Sequence, residues 1–81
     1  MNTRERAEWQ TNEVELWIVN DEGCYTAMVK WLKRGRRFNA SSAKRLFVSY
    51  FGNCTPMGDG ISRVRWGEVA KLLNTYQEGD S

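Results

Sequence analysis

Lys30, Lys33, Arg34 and Arg37 follow one another at i, i+3, i+4 and i+7. On a helix that spacing gathers four cations onto one face. Arg36 thickens the cluster, and Lys44 and Arg45 follow in the next segment. Cations so placed suit the charge-assisted binding of phosphates or carboxylates on an anionic partner. The plainer alternative is a solvated helix end whose cations face the C-terminal dipole. The spacing does not choose between them, and Arg37 joins the stripe only if the helical turn carries past Gly35.

The residue types that support catalysis are thin by comparison. The chain has no histidine, which removes the commonest general base at neutral pH and the commonest metal ligand. Cys24 and Cys54 lie far apart with no Cys or His neighbour, which disfavours a zinc site. Two cysteines are also too few for a disulfide framework, so reduced, partly buried thiols are expected. Gly52, Gly58 and Gly60 flank a loop that lacks the Gly-Lys-Ser/Thr of a phosphate cradle. Asp21 and Glu22 are adjacent acids, a pattern that serves a helix start more often than acid–base chemistry. The expectation is a protein that is not an enzyme, with no cofactor and no metal.

The net charge of +2 hides a strong asymmetry. Residues 1–29 hold two cations against six acids, whereas residues 30–71 hold ten cations against two acids. An anionic partner, either nucleic acid or an acidic protein surface, would meet the second region. The candidate contact residues are Lys30, Lys33, Arg34, Arg36, Arg37, Lys44 and Arg45. Trp9 joins them because tryptophan is enriched at binding hot spots and this one lies outside the periodic segments.

These side chains must be carried by a very small scaffold. Eighty-one residues make one domain. A chain of this size buries only about 60–65% of its unfolded surface. Its 4 Trp, 3 Tyr and 3 Phe therefore weigh heavily. The pattern predicts an all-α fold: a small single domain of three to four short helices around an aromatic core. Residues 1–10 are polar and read as a flexible arm, residues 11–78 as the helical domain and residues 79–81 as a frayed tail.

A first helix is expected from Asn12, with Asn12 and Glu15 as a capping box. Asn20, Asp21 and Gly23 interrupt it, and Tyr25, Met28, Trp31 and Leu32 resume the period. Either one helix bends here or two meet; the cap chemistry favours two. Gly35 should end the second helix. Asn39, Ser41 or Ser42 can cap a third, lined by Ala43, Leu46, Phe47, Tyr50 and Phe51. Its apolar stretch 46–51 would otherwise be an isolated strand without partners. Residues 53–60 form a loop. A last helix should start near Ser62 or Arg65 and run to Tyr76. Trp17, Trp31, Phe47, Phe51, Trp66 and Leu73 are the expected core.

Two segments resemble a family of small proteins encoded by phages, prophages and plasmids. In the first, Leu16, Trp17, Ile18, Asn20, Asp21, Gly23 and Tyr25 match a Leu-Trp-Ile run leading into Asn-Asp-x-Gly-x-Tyr. In the second, Val64, Trp66, Glu68, Val69 and Ala70 match a Val-x-Trp-x-Glu-Ile/Val-Ala helix start. Arg65 stands where that family tends to have a capping Asn or Asp. The resemblance implies a context: an accessory protein of a mobile element, in the cytoplasm of a bacterial host. Such proteins often bind and block a host protein or protein–nucleic-acid complex, CRISPR effectors and other defence systems included. A nucleic-acid-binding accessory or regulatory protein is the alternative. The polar N-terminus lacks the apolar core of a signal peptide, and no apolar run approaches a membrane span.

Overall fold

A computed structural model describes residues 2–79 of the chain. It is all-α: α1 (Thr3–Asn20), α2 (Glu22–Lys33), α3 (Ala40–Phe51) and α4 (Trp66–Gly79). No strand occurs among the described residues. One isolated antiparallel bridge, Cys54 to Gly60, closes the loop between α3 and α4. The short axes of the molecule are 21 and 19 Å. That is about two helix diameters of ~10 Å each, so every helix turns one face to a single core.

The expected arm is instead the start of α1. Asn2 caps it, its Oδ1 accepting from the Glu5 N–H at 2.8 Å. Asn12, the expected cap, sits exposed in mid-helix. The buried face runs Ala7, Gln10, Thr11, Val14 and Ile18. Two of those five positions are polar, so no apolar period marks the first three turns. Both polar side chains are satisfied by tertiary partners. Gln10 Oε1 accepts from the Arg63 N–H at 2.8 Å. Thr11 Oγ1 accepts from the Arg65 N–H at 3.0 Å and donates to the Ala7 carbonyl at 2.7 Å.

Asp21 alone separates α1 from α2, as its cap chemistry suggested. Its backbone is extended, its N–H closes α1 on the Trp17 carbonyl at 3.0 Å, and its Oδ1 accepts from Cys24 N–H at 2.9 Å to open α2. Gly35 then ends α2 in the left-handed region, φ +80°, where a side chain would be strained. Asn39 opens α3 with a reciprocal capping box: its Oδ1 accepts from Ser42 N–H, and Ser42 Oγ accepts from Asn39 N–H. The segment 46–51 is helical, and Gly52 at φ +81° stops it.

The last helix begins at Trp66 rather than at Ser62 or Arg65. The N–H groups of Arg63 and Arg65 are held by α1, and that of Val64 by the Ile61 carbonyl at 3.3 Å. The preceding segment is thus fixed as a strap across α1. The helix continues past Tyr76 to Gly79. Beyond Gly79 the expected frayed tail lies outside the described residues.

The centre is aliphatic as well as aromatic. Val14, Ile18, Met28, Phe47, Val69 and Leu73 are fully buried. Trp17, Trp31, Phe51 and Trp66 are half-buried and pack against that centre. The Phe47 ring meets Phe51 at 4.8 Å and Trp66 at 5.9 Å, centroid to centroid. Trp17 meets Phe51 at 6.2 Å. The aromatic residues therefore form a cluster around an aliphatic middle. Such rings bury large areas and add roughly 0.5–1.5 kcal/mol per favourable pair.

Candidate functional site

The cations converge where α2 hands over to α3. Lys30 and Lys33 lie in the last turn of α2, and Arg34 is its C-terminal cap. Arg36 and Arg37 lie on the connection to α3, and Lys44 and Arg45 on the second turn of α3. All seven are exposed. Because α2 ends at Lys33, with Gly35 turning the chain away just after its cap, Arg37 is not part of a helical stripe. It reaches the cluster through the connection, and the surface is a corner rather than a helix face.

The connection is hydrogen-bonded from below by α4. Asn74 of α4 imitates a peptide group: its Oδ1 accepts from the Phe38 N–H at 2.8 Å, and its Nδ2 donates to the Phe38 carbonyl at 3.0 Å. The Phe38 ring is buried and stacks on Trp31, centroids 5.6 Å apart at 28°. The Arg36 guanidinium lies 5.0 Å from the centre of the same indole. Such a cation–π contact contributes about 0.5–1 kcal/mol at an exposed site. Phe38 and Asn74 went unrecognised in the sequence. One is a lone aromatic in a polar connection, and the other is an ordinary asparagine on a helix.

The electrostatics are one-sided. Between Glu22 and Asp59 the chain carries these seven cations and no acid. Two ion pairs occur among the described residues, Arg4–Glu8 and Arg65–Glu68, and neither involves the corner. The helix dipole rationalises the cations at the end of α2. It does not rationalise Lys44 and Arg45 near the start of α3, nor Arg36 and Arg37 on the connection. A solvated helix end therefore accounts for only part of the cluster.

Beside the corner, α2 and α3 separate. A hollow of about 340 Å³ opens between them, lined by Ala27, Trp31, Phe38, Arg45, Leu46 and Tyr50. A second hollow, of about 550 Å³, shares Ala27 and Tyr50 with it and reaches Gly23, with Lys30 and Glu22 on its rim. Tyr50 is 47% exposed and lies against Gly23, where an added Cβ would meet its Cε2 at 3.4 Å. The fold thus places Arg45 at the first, apolar hollow and Lys30 at the second, more polar one. Trp31 Nε1 is buried beside the first without an acceptor.

Trp9 does not join this surface. It stands 41% exposed on α1 and lines a separate hollow with Arg6, Gln10, Asp59 and Gly60. The remaining chemistry is muted. Cys24 is buried and Cys54 exposed, both free. Burial, and then the nearby Asp21 charge, pushes the Cys24 thiol up to about 12, which keeps it protonated near neutral pH. Glu15 is raised by burial and by the Glu68 charge. Among the described residues no three His, Cys, Asp or Glu side chains gather as metal ligands, and no helix is long and apolar enough to cross a membrane.

Fold and surface together define a small all-α domain with a cationic corner beside an interhelical groove. No protein-family model, no curated protein and no solved structure matches the chain.

Proposed function

We propose that this chain is a non-enzymatic binding protein that holds an anionic surface of a partner against its α2–α3 corner. The observation that carries the reading is the set of seven exposed cations with no acid between residues 22 and 59 and no ion pair among the described residues. Folding explains part of that arrangement, and recognition explains the rest. The resemblance to mobile-element proteins supplies a setting. In it, the domain blocks or modulates a host protein or protein–nucleic-acid complex, as an anti-CRISPR or other anti-defence inhibitor does.

The test is a triple reversal, Lys33→Glu, Arg34→Glu and Arg37→Glu, used beside the parent in pull-downs from a bacterial lysate. All three residues are exposed, and such substitutions usually change stability by no more than about 0.5 kcal/mol each. Helical signal and melting point should stay close to the parent, with a small cost from acids opposing the α2 dipole. Specific partners of the parent should be lost. A control reversal on α1, Glu5→Lys with Glu8→Lys, should keep them. A folded triple variant that recovers the same partners would refute the reading.

A second reading, direct binding of nucleic acid, is favoured by the density of the cluster: five cations in the eight residues 30–37. It predicts a steep salt dependence, with a log–log slope of about −0.9 per neutralised phosphate on duplex DNA. A gel shift absent at low salt would remove it.

A further inference from the structure

We infer that the groove between α2 and α3 seats an acidic amphipathic helix of a partner protein. The inference rests on the binding role of the corner and names the chemistry of what binds there. Three observations support it.

The first is shape. From Gly23 to Trp31 the α2 wall spans nine residues, eight steps of 1.5 Å or about 12 Å. Two hollows lie along that wall and share Ala27 and Tyr50 in their linings. Gly23, Ala27, Ser42 and Ser49 are small and lie on the groove's two sides, which leaves room between the helix axes. A trough with these proportions fits about two to three turns of a third helix.

The second is polarity. Trp31, Phe38, Leu46 and Tyr50 give the hollow nearest the corner an apolar lining. Anchors at i, i+3 or i+4 and i+7 of a docked helix would meet that lining, which is how grooves of this kind read their ligands. A nucleic-acid backbone has no apolar stripe to place there.

The third is charge. Arg45 sits on the α3 side and Lys30 on the α2 side, and Arg34, Arg36 and Arg37 follow Lys30 along the chain at the end of α2 and on the connection. Carboxylates flanking the apolar stripe of a ligand helix would reach both rims. Among the described residues lining the two hollows, Glu22, near Gly23, is the only acid. The acidic end of the ligand therefore belongs toward Arg45 and the connection.

The probe is a fluorescent peptide of about 16 residues with Leu and Phe at i, i+3, i+4 and i+7 and Glu on the flanks. A scrambled peptide of the same composition without the stripe, and a short DNA duplex, complete the set. Anisotropy is read at low and physiological salt, on the full chain. The stripe peptide should bind at least about tenfold more tightly than the scrambled one, a factor equal to about 1.4 kcal/mol. Ala27→Leu fills the groove floor and should weaken the stripe peptide about tenfold while leaving duplex binding unchanged. Ser49→Leu, on the other wall, should do the same and serves if Ala27→Leu lowers the melting point. Equal binding of both peptides and the duplex, unaffected by either variant, overturns the groove and leaves the cationic corner standing. Failure of all three probes to bind even at low salt overturns the corner as well.

Discussion

The strap of residues 61–65 across α1 and the corner between α2 and α3 are both built with polar residues, and they use them in opposite ways. At the strap, Gln10 and Thr11 are buried and accept from the Arg63 and Arg65 N–H groups. Each of the two side-chain oxygens pairs with a backbone N–H, so α1 positions the start of α4 through them. At the corner, seven cations stand in solvent with no ion pair among the described residues. The side chains that hydrogen-bond the corner's backbone, Asn74 and those of the Asn39 capping box, carry no charge. The strap's side-chain polarity is thus buried and paired, whereas the charge at the corner is exposed and makes no ion pair among the described residues. The difference predicts which substitutions damage the fold and which leave it intact.

The largest effect should come from Phe47, which links the two regions. It lies on α3, is fully buried, and packs its ring on Trp66, the first residue after the strap. Phe47→Ala should cost about 3–5 kcal/mol, a large share of a total stability of about 5–15 kcal/mol. Urea denaturation followed by circular dichroism reads this directly. A midpoint near that of the parent would mean that the two regions do not share a core.

Thr11→Val comes next. It keeps the shape of the side chain and removes the acceptor for Arg65 N–H, which should cost about 1–3 kcal/mol if that group finds no other partner. A single reversal at the corner should cost no more than about 0.5 kcal/mol. Equal losses at the two places would break the contrast drawn above.

The smallest effect belongs to Glu15. Burial and the Glu68 charge raise its folded-state pKa. Its protonated form is therefore favoured by folding, and that benefit is present below the unfolded carboxylate range and lost as pH rises through the folded value. Glu15→Gln should raise the melting point at pH 7 by on the order of 1–2 °C, because the site is partly solvated and screened. The gain should disappear below about pH 4. A gain that persists unchanged at low pH would point to packing rather than charge.

The sequence by itself determined the all-α class and the ends of α2 and α3, and it favoured, without settling, the break between α1 and α2. Asp21, Gly35, Asn39 and Gly52 act through bonds and backbone angles within a few residues, so their effect is written locally. It also determined that the charge is uneven and where along the chain the cations fall. Tertiary structure alone decided the rest. The first turns of α1 start at a local cap, Asn2, but Gln10 and Thr11 can face the core because they find partners more than fifty positions away. The connection bearing Arg36 and Arg37 is fixed because Asn74 pairs with Phe38 across thirty-six. The groove exists because α2 and α3 part beside Trp31 while the fully buried Phe47 and Leu73 hold α3 and α4 in the core. Periodicity reports which face of a segment avoids water. It carries no record of a polar group that is buried because a distant backbone satisfies it, nor of the space left between two helices, and those two things shaped the candidate site.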